Sequence, residues 1–84
     1  MYKVEQHNDS YIIQKLNTDS SWSITGQIRS VRKRGTTFWH AVSSIRHTGS
    51  LWDRDVDAVA WLLWCDGLDS DESDREAASL LSML

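Results

Sequence analysis

Between residues 1 and 52, apolar and polar positions alternate in short runs broken by turn-forming clusters. From Asp53 onward the apolar positions recur every three or four residues. The first rhythm belongs to strands with one buried face, the second to helices with an apolar stripe. Tyr2 to Gln6 is predicted as a short strand with Tyr2 and Val4 on one face. His7-Asn8-Asp9-Ser10 is a turn, and Tyr11 to Leu16 a second strand whose phase is blurred by the adjacent Ile12 and Ile13. After the polar turn Asn17 to Ser21 comes the clearest alternation. Trp22, Ile24, Gly26 and Ile28 share one face, and Ser23, Thr25, Gln27 and Arg29 the other. Gly26 inside a strand marks a bend, a bulge or the close approach of another element, here room for a Trp from a covering helix. That strand ends at Arg29; Val31-Arg32-Lys33-Arg34-Gly35 follows, Gly35 supplies a turn, and Thr36 to Arg46 reads as the next strand. In that strand Trp39, Ala41 and Ile45 face one way and Phe38, His40 and Val42 the other. Both faces are apolar, so the strand is central or has a sticky outer face. His47-Thr48-Gly49-Ser50 returns the chain.

The most apolar segment is Asp53 to Gly67. Val56, Val59, Ala60 and Leu63 lie at i, i+3, i+4, i+7 on one helical face. Asp53 is the expected N-cap, Asp55 and Asp57 put negative charge in the first turn, and Gly67 suits the residue after a helix end. Trp52 is placed to staple the first turn. Trp61, Cys65 and Leu68 point away from Val56 and Leu63, so the helix needs two partners. Ser73-Asp74-Arg75-Glu76 fits a capping box opening a second helix, with Ala77, Leu80, Leu81 and Leu84 as its stripe and Trp61 and Leu68 as its docking surface. The expected fold is α+β: a small antiparallel sheet of three or four strands, covered on one face by a central helix, with a short second helix at the C-terminal end. Residues 1–84 form one domain, with a sheet region over 1–52 and a helical region over 53–84.

Composition adds two constraints. Five Trp supply large buried area to a domain too small for a generous core. The single cysteine, Cys65, excludes an internal disulfide and fits a reducing compartment. The N-terminal MYKVEQHND has no apolar signal core, and the longest apolar run, Ala58 to Cys65, is far short of the ~20 residues that span a bilayer. A cytoplasmic location is expected, in a host cytoplasm if the protein is of phage origin. Net charge is −3, but unevenly spread. Residues 1–52 carry seven Lys/Arg against three Asp/Glu, a balance of +4, and residues 53–84 carry two against nine, a balance of −7. Such asymmetry points either to a charged partner or to a basic sheet neutralised by its own acidic helices.

Catalytic and metal chemistry find little support. His7, His40 and His47 lack partners at ligand spacing, whereas a zinc site needs about four N, S or O ligands. Cys65 sits near a helix C-terminus beside Asp66, which opposes thiolate formation and suits a packing role. Asp53, Asp55 and Asp57 are explained by helix capping rather than by acid–base work. No G-x-S-x-G, phosphate loop or H-E-x-x-H is present. No enzyme, catalytic residue, metal or cofactor is expected.

Two charged segments remain. Between Gln27 and His47 lie five basic residues and no acid. Arg29, Arg32, Lys33, Arg34 and Arg46, interleaved with Phe38 and Trp39, suit phosphate contact and base stacking. In this region Val31-Arg32-Lys33-Arg34, Trp39-His40-Ala41, Ile45-Arg46 and Ala58-Val59-Ala60 resemble the plant ethylene-response DNA-binding domain. That family has a V-R-x-R start, a W-x-A strand, an I-R strand end and an alanine-rich helix. The likeness covers under half the chain, and the family's Leu-Gly pattern before the helix is missing. It implies Arg32, Arg34, Trp39 and Arg46 as DNA-facing residues. Asp66, Asp69, Asp71, Glu72, Asp74 and Glu76 form the opposite segment, either a solvated surface or carboxylates placed where a partner expects phosphates.

Missing catalytic groups, abundant Trp and segregated charge together favour a binding protein. Its partner is expected to be another protein, such as a member of a nucleic-acid-handling complex, contacted through Arg32, Lys33, Arg34, Phe38, Asp69, Asp71, Glu72 and Asp74. By analogy it is an occluding inhibitor of the phage type, like anti-CRISPR or host-takeover proteins. The alternative is a DNA- or RNA-binding module using Arg29, Arg32, Arg34, Trp39 and Arg46 of the basic hairpin 29–46. A homodimer through the Trp61 face is a third arrangement. No membrane partner is expected.

Overall fold

The computed structural model describes residues 1–84. Each alternating segment pairs with its neighbour in sequence. β1 (Tyr2–His7), β2 (Ser10–Leu16), β3 (Trp22–Lys33), β4 (Thr36–Ser43) and β5 (Thr48–Trp52) make one antiparallel sheet in the order β1-β2-β3-β4-β5. Two helices follow, α1 (Asp55–Cys65) and α2 (Ser70–Ser82). The chain is α+β, and its sheet has five strands where three or four were expected. The additional strand is β5. Thr48-Gly49-Ser50 carries turn-type residues and hides the period, yet Thr48 pairs with Ser43 and Trp52 with Trp39. β4 therefore stops at Ser43, and the chain turns earlier than expected, with His47 at φ 52.

The third strand was expected to end at Arg29, but the basic run is strand as well. β3 continues through Lys33, and the turn is Arg34-Gly35, with φ of 52 and 79. Two positive φ values in a two-residue hairpin loop match the right-handed strand twist. β2 pairs with β3 no further than Arg29, and β5 with β4 no further than Trp39. The rungs Val31–Phe38, Arg32–Thr37 and Lys33–Thr36 therefore extend past both neighbouring strands as a two-stranded ribbon.

Register sorts the side chains. Tyr11, Ile28 and Ala41 lie in one row across β2, β3 and β4, and Ile13, Gly26 and Ser43 in the next row on the same face. Ile13, Ile28 and Ala41 are fully buried in one cluster with Ala58, Val59, Leu62 and Leu63 of α1. α1 contacts β3, β4 and β5. The space at Gly26 is filled by Leu62, not by a Trp: a Cβ added there would stand 2.6 Å from Leu62 Cδ2 and 2.6 Å from the Val42 carbonyl oxygen. The second partner of α1 is α2, which buries Ala77 and Leu80.

Both helix starts shift from their expected places. The N-cap of α1 is Arg54, without a side-chain bond, because Trp52 still belongs to β5. α2 begins one turn early, with the Asp69 carboxylate accepting from Glu72 N at 2.8 Å. Asp69-Ser70-Asp71-Glu72 offers the same cap chemistry as the segment starting at Ser73, and the earlier start adds a helical turn. Ser73 consequently lies inside the helix and is 2 % exposed. Past α1, Asp66 ties the two halves together. Its side chain is 5 % exposed, accepts a hydrogen bond from the Tyr2 hydroxyl and stands 3.2 Å from Lys15 Nζ.

Candidate interaction surfaces

The ribbon places its basic residues on different sides. Arg29 and Lys33 lie on the face opposite Ile28, with Val31 and Phe38. Arg32 lies on the other face, paired with Thr37, and Arg34 sits in the turn. Arg29, Arg32, Lys33 and Arg34 are all exposed, and none belongs to the ion pairs of the structure, which are Lys3–Glu5, His7–Glu5, Lys15–Asp66 and Arg54–Asp57. The other two basic-hairpin candidates have internal partners. Trp39 stacks on Tyr11 with ring centroids 5.5 Å apart, and Arg46 lies 5.2 Å over the Trp64 ring and donates from Nε to the Cys65 carbonyl at 3.4 Å. The register does not put Trp39 on the face that carries Arg29.

A surface that sequence reasoning missed lies on that same outer face. Trp22 and Ile24 were expected to share the buried face with Ile28. Instead Ile24 is 55 % exposed and Trp22 38 %, while Thr25 is 2 % exposed. The cause is a register irregularity: Ile13 pairs with Gly26 but Gln14 with Ile24, which leaves Thr25 as an extra residue. One added residue reverses the faces of everything before it. Trp22 and Ile24 therefore join Val42 (38 %) and Leu51 (45 %) on the outer face. Ile24 and Val42 line a shallow depression beside Gly26. Lys3 Nζ lies 4.3 Å over the Trp22 ring at the patch edge. The sequence signal was present, since β4 is apolar on both faces.

The acidic candidates Asp69, Asp71, Glu72 and Asp74 are exposed around the start of α2. A helix N-terminus favours negative charge, and Asp69 has a structural duty there as cap. No hydrogen bond or ion pair joins this segment to the ribbon. Asp66 is not part of the acidic surface, being committed to Tyr2 and Lys15.

A groove of about 290 Å³ runs between α1, α2 and β5. Trp52, Trp61 and Trp64 wall it, Asp57 and Asp74 contribute carboxylates, and Ser73 lies along it. Trp52 and Trp61 meet tilted by 44°, centroids 6.4 Å apart. Elsewhere, no group of three or more His, Cys, Asp or Glu is gathered as a metal site, and no helix is long and apolar enough to cross a membrane. Cys65 is buried and free.

The fold defines a class: a five-stranded antiparallel meander with two helices at its C-terminal end. Compared with protein-family models, curated protein sequences and solved structures, the chain shows no significant match.

Proposed function

We propose that the protein is a non-enzymatic binding module that makes a stoichiometric complex with another protein. α1 covering one face of the sheet leaves the other face open, and the reading rests on what that open face carries. Trp22, Ile24, Val42 and Leu51 are side chains that a solvated sheet face normally replaces with polar ones, and further along β3 the same face carries Arg29 and Lys33, both free of ion pairs. An apolar centre with a charged margin is the anatomy of a protein interface, in which Trp and Arg supply much of the energy. The complementary partner surface is apolar with an acidic border. Occupying that surface would be enough to inhibit its owner, as phage-type inhibitors do.

Affinity capture with the tagged protein is expected to recover one stoichiometric protein. Joint reversal of Arg32, Lys33 and Arg34 to Glu should slow association and weaken capture about tenfold or more, since marginal charges act mainly on encounter. Reversal of Asp69, Asp71, Glu72 and Asp74 to Lys tests the acidic segment in the same assay. Capture unchanged by both reversals and by Ile24→Asp would defeat this assignment of contacts.

One observation favours a second reading. A two-stranded β-ribbon fits the DNA major groove, and here it carries three consecutive basic residues, Arg32, Lys33 and Arg34. Arg29 can add a phosphate contact, whereas Trp39 and Arg46 have other partners. A salt-titrated mobility shift separates the readings. Nucleic-acid binding must weaken steeply as salt rises, and no shift at low salt eliminates it.

A further inference from the structure

We propose that the groove between α1, α2 and β5 is a binding site for a small alkylammonium cation that also carries an oxygen, the chemistry of choline. The site lies apart from the open sheet face and does not depend on the function proposed above. Three indoles, Trp52, Trp61 and Trp64, line one groove, and indole is the best aromatic surface for an organic cation. Two carboxylates, Asp57 and Asp74, line it as well. Asp74 forms no ion pair, while Asp57 holds only the exposed Arg54 at 3.3 Å. Trp64 already takes a cation, with the Arg46 guanidinium 5.2 Å from its ring, and Arg46 does not line the groove.

The second observation is independent of charge. Ser73 is 2 % exposed and its Oγ has no partner, and the buried Trp52 Nε1–H also has none. Both residues line the groove. A buried donor without an acceptor is costly, so the site is incomplete without an oxygen near these two groups. Both atoms are closed to solvent, so a ligand hydroxyl reaches Trp52 Nε1–H or Ser73 Oγ through a small shift of the side chains that cover them. A trimethylammonium group then fits among the indoles, where its methyl groups leave the carboxylates to act through charge. The volume, about 290 Å³, accepts a ligand of this size.

The test is a titration of the ¹⁵N-labelled protein with choline, followed through the Trp52 indole N–H. The neutral isostere 3,3-dimethylbutan-1-ol serves as the control. Choline is expected to produce a saturable shift, with the isostere about tenfold weaker because it lacks the cation. Trp64→Ala and Asp74→Asn, both at exposed positions, should each weaken choline several-fold. Trp22→Ala, on the outer sheet face, should leave binding unchanged. Near-UV circular dichroism confirms that each variant is folded. The proposal is overturned by equal binding of the isostere, by absence of a saturable Trp52 shift, or by full affinity in folded Asp74→Asn and Trp64→Ala.

Discussion

Leu62→Ala is expected to destabilise the protein by about 3–4 kcal/mol, from lost burial and the cavity left behind. Leu62 is fully buried and its terminal methyls reach the backbone of β3 at Gly26. A domain of this length has a total stability of roughly 4–13 kcal/mol, so the loss is a large share of it. Gly26→Ala should cost about 1–3 kcal/mol for the opposite reason, overpacking. Its new Cβ meets two obstacles of different kinds. Leu62 Cδ2 can turn aside, whereas the Val42 carbonyl oxygen belongs to the paired backbone and cannot. The double variant should therefore cost less than the sum of the two, without full rescue. Urea unfolding with an unchanged slope measures all three. A Gly26→Ala variant as stable as the parent would rule out this contact.

The second large effect belongs to Asp66. Asp66→Ala removes the acceptor of the Tyr2 hydroxyl and the partner of Lys15, and should cost about 2 kcal/mol. Asp66→Asn, which keeps an acceptor, should cost less. The same contact makes stability depend on alkaline pH. Burial first, then the hydrogen bond to Asp66 and the nearby charges of Asp66 and Glu76, raise the pKa of Tyr2 above the ordinary range. Unfolded, the phenol titrates near 10. The folded state thus holds the proton more firmly, so this contribution is complete below pH ~10 and is lost as pH rises further toward the folded value. Tyr2→Phe should be less stable than the parent near neutral pH and should lose less stability between pH ~9 and ~11. Parallel losses in the two proteins would exclude Tyr2 as the source.

The order of four strands and two helices was legible because most strands alternate cleanly and α1 repeats at helical spacing. Three particulars were hidden for physical reasons. β5 has only Leu51 and Trp52 as apolar residues, and its pairing is imposed by the free edge of β4. The extension of β3 beyond Arg29 was hidden because no alternating apolar face marks Arg32-Lys33, yet these residues pair rung for rung with Thr37 and Thr36. The bulge at Thr25 was invisible because Trp22, Ile24, Gly26 and Ile28 keep perfect alternation through it. That last point decided the candidate surface. An unbroken strand would have put Trp22 and Ile24 on the face of the buried Ile28, whereas the bulge turns them to the opposite face, where they are exposed. Charge segregation was legible from composition. The indole groove was not, since Trp52, Trp61 and Trp64 meet Ser73 and Asp74 only when α2 folds back along α1.

Because every strand hydrogen-bonds the one before it, each hairpin can close over a short loop without waiting for a distant segment. Such nearest-neighbour pairing keeps the contacts within the sheet short in sequence and lowers the entropic barrier to forming it. Proline is absent, so no slow peptide-bond isomerisation interrupts the process. Refolding is set to be rapid, and the chain to spend little time with its tryptophan-bearing strands open to self-association.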